Sequence, residues 1–208
     1  MNTLIKTLLF SPDEIKPNRN ETMRYLGVKG EPDPQLVTLL DACEKELAAA
    51  AAYWVVYTYL PLTRRADDTL LFGAYEVKSH ALSKNLADCD SVCLFAATVG
   101  IGADRLIAKY GRVSPARSAV IDSAASSAIE ALCDAFNGRV GEEYDTCPRF
   151  SPGYGDFPLA AQKELLSILD ASRKIGVFIT EALMMTPTNS VTAVIGIRGK
   201  RAQLQNGD

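Results

Sequence analysis

Ser91-Val92-Cys93-Leu94-Phe95-Ala96-Ala97 is a continuous apolar run with the length of one β-strand. Such a run predicts a strand that is covered on both faces, because a half-exposed strand alternates apolar with polar residues. A β-branched and aromatic segment, residues 54–60, predicts another strand that ends before Pro61. Further β segments are predicted at residues 69–77, 178–185 and 190–197.

Helical segments flank these predicted strands. Asp33 and Pro34 form a capping pair in front of apolar residues that recur every three or four positions up to residue 47. The longest helix is predicted at residues 115–136, with Asn137-Gly138 as its end or a kink. Shorter helices are predicted at residues 20–27, 79–87, 101–110 and 159–169. Because helices and strands do not alternate regularly, the sequence predicts an α+β fold in a single domain, residues 1–208.

The composition limits the class of protein. The chain has 208 residues, 48% of them hydrophobic and 23% charged, with a net charge of −3, which is typical of a globular protein. No run of basic residues interleaved with aromatics supports nucleic-acid binding. No segment approaches the roughly 20 apolar residues needed to span a membrane. The five cysteines form no CxxC pair and are odd in number, so reduced thiols in a cytoplasmic protein are expected.

Common catalytic patterns are missing from the sequence. His80 is the only histidine, and we expect it at the surface or at the start of a helix. No nucleophile elbow, phosphate loop or cysteine pair with metal-ligand spacing occurs. Gly100 and Gly102 suggest a dinucleotide loop, but Arg105 stands where the third glycine is required, so a glycine turn that begins a helix is expected. A binding protein is favoured over a hydrolase, an NTPase or a metalloenzyme.

Residues 149–158, Arg-Phe-Ser-Pro-Gly-Tyr-Gly-Asp-Phe-Pro, have the composition of a ligand-binding loop. Its prolines fix φ, while Gly153 and Gly155 permit positive φ and close approach of the backbone to another molecule. Arg149 supplies a planar cation for a carboxylate or phosphate, and Tyr154 supplies a flat face with a hydroxyl group. The alternative is an ordinary Pro/Gly turn beside a solvated arginine.

The longest predicted helix carries a polar row with a spacing of four residues. Its members are Asp122, Ser126, Glu130 and Asp134. Residues four apart share one helix face, so the row predicts either a solvated surface or the wall of a site.

The loop also carries a family pattern, Arg-x-x-x-Gly-Tyr-x-x-x-Pro, at Arg149, Gly153, Tyr154 and Pro158. Like residues occur at 24–27, 95–98, 129–134, 165–166, 180–181 and 190–191. In these features the chain resembles the S-adenosylmethionine-binding activation (reactivation) domain of cobalamin-dependent methionine synthase, in the stand-alone form that some bacteria carry. The resemblance implies a curved α+β domain with an antiparallel sheet and several helices.

The same resemblance implies roles for individual residues. Arg149 would bind the methionine carboxylate of S-adenosylmethionine, Ser151 and Gly153 would contact the ligand through their backbone, and Tyr154 would pack beside it. Glu130 and Glu143 occupy positions where the family places acids near the site. A carboxylate there would neutralise the ammonium or sulfonium charge of the ligand, since burial of an unpaired charge is costly.

The implied activity is repair in methionine biosynthesis. The family transfers a methyl group from S-adenosylmethionine to cob(II)alamin after one-electron reduction, for which a flavodoxin-type reductant is expected. Because the chain has no cobalamin-binding module of its own, the cobalamin is expected on a separate methionine synthase subunit. The alternatives are reactivation of another corrinoid methyltransferase protein, and a non-catalytic docking module.

Overall fold

The computed structural model describes residues 4–15 and 17–201, which form nine β-strands and seven α-helices. The strands are β1 (Lys6–Phe10), β2 (Tyr53–Arg64), β3 (Thr69–Phe72), β4 (Tyr75–Lys78), β5 (Ser91–Thr98), β6 (Tyr144–Thr146), β7 (Phe178–Ile179), β8 (Met185–Thr186) and β9 (Ser190–Lys200). The helices are α1 (Arg19–Tyr25), α2 (Pro34–Ala50), α3 (His80–Asn85), α4 (Ile101–Val113), α5 (Pro115–Glu143), α6 (Ala161–Ile168) and α7 (Ala171–Ile175).

One antiparallel sheet of seven strands organises the fold, in the order β4-β3-β2-β5-β9-β6, with β1 paired to β2. Strand β5 lies inside this sheet and pairs along its whole length with β2 and with β9. The short strands β7 and β8 pair with each other in a separate hairpin. The predicted α+β class with an antiparallel sheet is therefore confirmed.

Both faces of β5 are covered, as the continuous apolar run predicts. Alternate residues Val92, Leu94 and Ala96 belong to a core shared with the loop residue Phe157 and with α6. The intervening residues Cys93, Phe95 and Ala97 belong to a second core shared with α5, through Ala128, Leu132 and Phe136. Since successive side chains of a strand point to opposite faces, the absence of alternation in the sequence reflects helices on both sides of the sheet.

Helix α5 is longer than predicted. The expected end at Asn137-Gly138 is wrong, because the helix continues to Glu143. Phe136 and Val140 are both buried against the sheet, and this packing outweighs the cost of about 1 kcal/mol for a glycine inside a helix. The last acidic residues, Glu142 and Glu143, are therefore part of helix α5 and not of a connection after it.

Pro61 does not end strand β2, contrary to the prediction. Leu62 N–H donates to Asp90 O on the β5 side, at 3.0 Å, so the nitrogen of the neighbouring Pro61 faces the opposite side of the strand. On that side β1 pairs only with residues 53–57 and β3 only with residues 62–64. Pro61 thus lies in the gap between two partner strands, where its missing N–H removes no ladder bond.

Several short elements differ from the predicted segments. Residues 69–77 fold as the hairpin of β3 and β4, and residues 178–185 fold largely as the turn between β7 and β8. Helix α4 extends past the expected end at residue 110, and helix α7 is not predicted at all. In the part of the chain that the structure describes, no helix has both the length and the apolar composition needed to span a bilayer.

Candidate functional site

The loop at residues 149–158 begins as an extension of the sheet edge. After β6, Cys147 N–H donates to Gly196 O at 2.9 Å. Phe150 and Val194 then exchange two backbone hydrogen bonds, of 2.8 and 2.9 Å. Strand β9 therefore holds the backbone on both sides of Arg149 in a fixed register.

The glycines of this loop have positive φ, as predicted. Gly153, at φ 93°, donates its N–H to Phe157 O at 2.8 Å, which closes the turn. Gly155 has φ 54°, and a Cβ at this position would lie 2.7 Å from the Cβ of Ala81. The close approach that Gly155 permits is thus to helix α3 of the same chain rather than to another molecule.

The far end of the loop is fastened to helix α3. The carboxylate of Asp156 accepts hydrogen bonds from Ser79 Oγ (2.6 Å), His80 N (2.8 Å) and Ala81 N (3.0 Å). These bonds, that of Ser79 first, lower the pKa of Asp156 to about 2. His80 is exposed at the first position of α3, as expected, and Phe157 is buried in the core. The loop is therefore anchored at both ends.

Arg149 connects this loop to helix α5. Its Nη2 lies 2.6 Å from Glu130 Oε2 and its Nη1 lies 2.5 Å from Asp134 Oδ1, with 22% of the side chain exposed. Burial acts to lower the pKa of Arg149, but the hydrogen bond to Asp134 and the nearby carboxylates outweigh it and raise the pKa. Arg149 is therefore a half-buried cation held by two acids, and not a solvated arginine beside a turn.

The polar row of helix α5 faces the same region. Ser126 Oγ donates to Asn189 Oδ1 at 3.3 Å, and Glu130 and Asp134 bind Arg149. Asp122 and Asp134 are both exposed, Asp134 with 71% of its side chain, whereas Ser126 and Glu130 are half-buried. The middle of the row, and Glu130 in particular, thus agrees with the wall of a site, while the two ends are solvated.

A pocket of about 140 Å³ lies beside this ion-pair cluster. It is lined by Glu130, Arg149, Ser151, Pro152, Tyr154, Gln162, Met185, Val191 and Thr192. The structure therefore brings together four of the predicted site residues, namely Glu130, Arg149, Ser151 and Tyr154.

Two of the predicted residues lie apart from this lining. Gly153 shapes the turn, and a Cβ there would lie 3.3 Å from Leu159 Cδ1. Glu143 is the last residue of α5, and at about 1.5 Å of rise per residue it lies roughly 20 Å from Glu130 along the helix axis. Its backbone carbonyl accepts a hydrogen bond from Arg201 N–H instead. The prediction that Glu143 lies near the site does not agree with this position, because α5 continues beyond its expected end.

Gln162 and Thr192 are pocket residues that the sequence analysis missed. They are 7% and 2% exposed. Gln162 Oε1 and Thr192 Oγ1 are buried without a hydrogen-bond partner among the described residues. The sequence contains a signal for Gln162, because residues three and four positions apart share a helix face and Gln162 precedes the inward-facing Leu165 and Leu166 of α6 by that spacing. A polar side chain on this inward face indicates a buried polar position. A buried polar atom without a partner is costly, and a bound ligand is one explanation of its presence.

One protein-family model matches part of this chain. Residues 136–203 match the family model described as "Vitamin B12 dependent methionine synthase, activation domain". The matched segment contains the end of α5, the Arg149 loop, α6 and β9. No curated protein was found to match the sequence of this chain.

The fold is also similar to a solved structure described as "Crystal Structure of the MetH Reactivation Domain bound to AdoHcy". The two share a TM-score of 0.74 and 14% sequence identity, over 96% of this chain and 80% of the other. At this identity the likeness concerns the fold. Together, the sequence match of residues 136–203 and the shared fold confirm the resemblance of this chain to the activation domain of vitamin B12-dependent methionine synthase.

Proposed function

We propose that this chain is the activation component of a cobalamin-dependent methionine synthase and binds S-adenosylmethionine in the pocket beside Arg149. The observation that carries the proposal is the half-buried Arg149, which lies at the edge of a pocket, is held by Glu130 and Asp134, and belongs to the segment that matches the family model. The solved protein of similar fold is described as bound to AdoHcy, which supports a ligand of this chemical class.

The charges of the pocket suit the amino-acid end of S-adenosylmethionine. Arginine has five N–H donors, and Arg149 uses one nitrogen for Glu130 and another for Asp134. Its remaining donors can bind a carboxylate, which makes a strong charge-assisted pair with a guanidinium group. Glu130, which lines the pocket, then remains close to the ligand's ammonium or sulfonium charge. Arg149 thus binds the anionic end while Glu130 neutralises a cationic group, and Asp134 holds Arg149 from outside the pocket.

Neutral residues complete this proposed subsite. Gln162 Oε1 can accept a hydrogen bond from the ammonium group, and Thr192 Oγ1 can donate to or accept from the ligand. Both atoms have no partner among the described residues, so a ligand would satisfy them without displacing an existing hydrogen bond. The backbone of Ser151 and the turn at Gly153 set the shape of the pocket.

The size of the pocket assigns it to one end of the ligand. Pockets that enclose a whole small-molecule ligand have volumes of about 300–1,000 Å³, whereas this pocket has about 140 Å³. The amino-acid end therefore enters the pocket, and the rest of the ligand lies across its mouth. Tyr154 stands there with 59% of its surface exposed and its ring edge-on to Phe150, and it offers a face for the ligand to pack on.

The residues of this chain bind and orient the ligand rather than exchange protons with it. S-adenosylmethionine supplies the methyl group, and the acceptor is cobalamin on a separate protein, with a flavodoxin-type reductant as the electron source. Anchoring of the loop to β9 and to α3 fixes the position of Arg149 and hence of the bound methyl donor. We place the protein in the cytoplasm, where thiols are reduced apart from transient, redox-sensing disulfides.

Calorimetric titration with S-adenosylmethionine tests the proposal. Arg149→Ala removes a charge-assisted contact worth about 1.5–3 kcal/mol, so we expect affinity to fall roughly 10- to 150-fold. Arg173→Ala is the matched control, because Arg173 is exposed and its one ion pair among the described residues is with Asp170, the residue before its own helix. Equal affinity of the Arg149→Ala variant and the unmodified protein would refute the assigned role of Arg149.

A second measurement tests the partner. The protein is mixed with a cobalamin-carrying methionine synthase subunit, a reductant and S-adenosylmethionine, and the absorption spectrum of the cobalamin is followed. Methylation that depends on this chain supports the proposal. Ligand binding without methylation of that subunit would point to another corrinoid protein, whereas no binding at all would leave only a docking role.

A further inference from the structure

Two free cysteines lie side by side at the base of the Arg149 loop. Cys89 precedes β5, and Cys147 lies between β6 and Arg149. Their Sγ atoms are 3.3 Å apart, and both thiols are free. The other cysteines, Cys43, Cys93 and Cys133, are buried in the helical and sheet cores. The pair joins segments that are distant in sequence and is distinct from the pocket.

The backbone of β9 holds these two thiols together. Cys147 N–H donates to Gly196 O at 2.9 Å, and Asp90 N–H, next to Cys89, donates to Ile197 O at 3.1 Å. A Cβ at Gly196 would lie 2.5 Å from Cys89 Sγ and 3.3 Å from Cys147 Cβ. Only glycine leaves room for two sulfur atoms at this point of the sheet. The contact is therefore fixed by three segments of the fold.

The two thiols differ in accessibility. Cys89 is 1% exposed, and burial, together with the hydrogen bond to Cys147, raises the pKa of its thiol to about 12. Cys147 is only half-buried. Because the thiolate is the reactive form and access limits its reaction, an oxidant in solution meets Cys147 first. Cys89 lies in contact with Cys147 and can then react with the oxidised sulfur of Cys147.

We propose that Cys89 and Cys147 are an oxidation site at which a hydroperoxide forms a disulfide that ties the Arg149 loop to the start of β5. A disulfide requires an S–S separation of about 2.05 Å, so the sulfurs must approach by about 1.3 Å in total from their present 3.3 Å. Rotation of the two side chains supplies movements of this size.

The reaction balances with hydrogen peroxide as the oxidant. The Cys147 thiolate attacks one peroxide oxygen and the O–O bond breaks, which gives a sulfenic acid and releases hydroxide. The sulfur of Cys89 then attacks the sulfur of Cys147 and the S–O bond breaks. The leaving hydroxide takes the thiol proton as water. In total, two thiols lose two electrons to one peroxide, and one disulfide and two waters form.

The test uses the full chain, reduced and then freed of reductant. After a small molar excess of hydrogen peroxide, we expect the free thiols, counted after denaturation, to fall from five by two. Mass spectrometry of a non-reducing digest should find the peptides of Cys89 and Cys147 joined. The melting temperature should rise by roughly 5–10 °C, because the new bond constrains the unfolded chain. Dithiothreitol should reverse all three changes.

Variants keep the test specific. Cys147→Ser, at the half-buried position, should fold normally and should lose both the joined peptide and the rise in melting temperature. Cys43→Ala, in the core of α2, α4 and α5, is the matched control and should still lose two thiols. Five thiols remaining after oxidation, a disulfide between other cysteines, or a disulfide between two chains would each overturn the proposal.

Discussion

Two glycine-bearing connections in this fold look alike in sequence and behave differently. The first is the turn of residues 98–102, which leads from β5 into α4, and the second is the Arg149 loop. In the first, a Cβ at Gly102 would lie 2.0 Å from the carbonyl oxygen of Ala50. Gly100, at φ 81°, donates its N–H to Thr98 Oγ1 at 3.0 Å. Both glycines of this turn are explained by packing within the chain.

The Arg149 loop is only partly explained in this way. Gly155 packs on Ala81, and Asp156 is held by helix α3. However, the pocket beside the loop contains a half-buried cation and two buried polar atoms, Gln162 Oε1 and Thr192 Oγ1, that have no partner in the part of the chain that the structure describes. The comparison teaches that glycine content does not identify a binding loop. Unsatisfied polar atoms that line one pocket together with a half-buried cation are the better indicator.

The largest expected effect tests the turn at residues 98–102. Gly102→Ala places a methyl group against the backbone at the end of α2, where no side chain can move aside. We expect the free energy of unfolding to fall by roughly 3 kcal/mol, measured by urea denaturation. Gly111→Ala is the matched control on the same helix, since the nearest atom to its Cβ would be 3.9 Å away. That variant should be at least as stable as the unmodified protein, because alanine favours a helix.

Two threonine-to-valine changes sharpen the comparison. Thr98 Oγ1 accepts hydrogen bonds from Gly100 N and Ser190 Oγ, so Thr98→Val should lower the free energy of unfolding by about 1–2 kcal/mol. Thr192 Oγ1 has no partner among the described residues, so Thr192→Val should raise the free energy of unfolding by about 0.5–1 kcal/mol.

The same Thr192→Val variant should bind S-adenosylmethionine about 3- to 10-fold more weakly, as one neutral hydrogen bond is lost. Calorimetric titration measures this change beside the denaturation curves. If Thr192→Val were destabilising and bound the ligand normally, the hydroxyl group would have a structural partner, and the distinction between the two regions would fail.

The smallest expected effect concerns the anchor of the loop. The hydrogen bonds of Asp156 lower its pKa from the ordinary value of 3.8 to about 2, so its stabilisation is complete above pH 4 and is lost as the pH falls toward 2. Asp156→Asn removes this dependence. The difference in unfolding free energy between the unmodified protein and Asp156→Asn should therefore shrink between pH 4 and pH 2. A difference that stays constant over this range would show that the carboxylate charge is not involved.

The sequence was sufficient for the centre of the fold. The run at residues 91–97 predicted a strand covered on both faces, and Asp33 with Pro34 correctly marked the start of α2. The sequence was misleading at Pro61 in β2 and at Asn137-Gly138 in α5, because tertiary packing determines whether the element continues there. Local propensity predicts an end at each of these positions, but neighbouring strands and buried side chains determine whether the element continues.

The site was predictable in its loop and less so in its surroundings. The residue types around Arg149 indicated a charged ligand, and the spacing along α5 placed Glu130 and Asp134 on one face. Which charge pairs with Arg149 depends on how α5 lies against the loop, and the sequence alone does not fix that arrangement. Glu143 is an acid of the same kind as Glu130, yet Glu130 lies in the middle of α5 and Glu143 is its last residue.

The pairing of the loop with β9 also protects one edge of the sheet. Strand β9 has 11 residues, whereas β6 pairs only with its last part, through residues 144–146. The hydrogen bonds of Cys147 and Phe150 occupy the next positions along this edge. Exposed sheet edges recruit strands from other molecules and promote aggregation. Movement of the loop away from β9 would expose this edge, so the pairing of the loop with β9 also keeps the sheet closed.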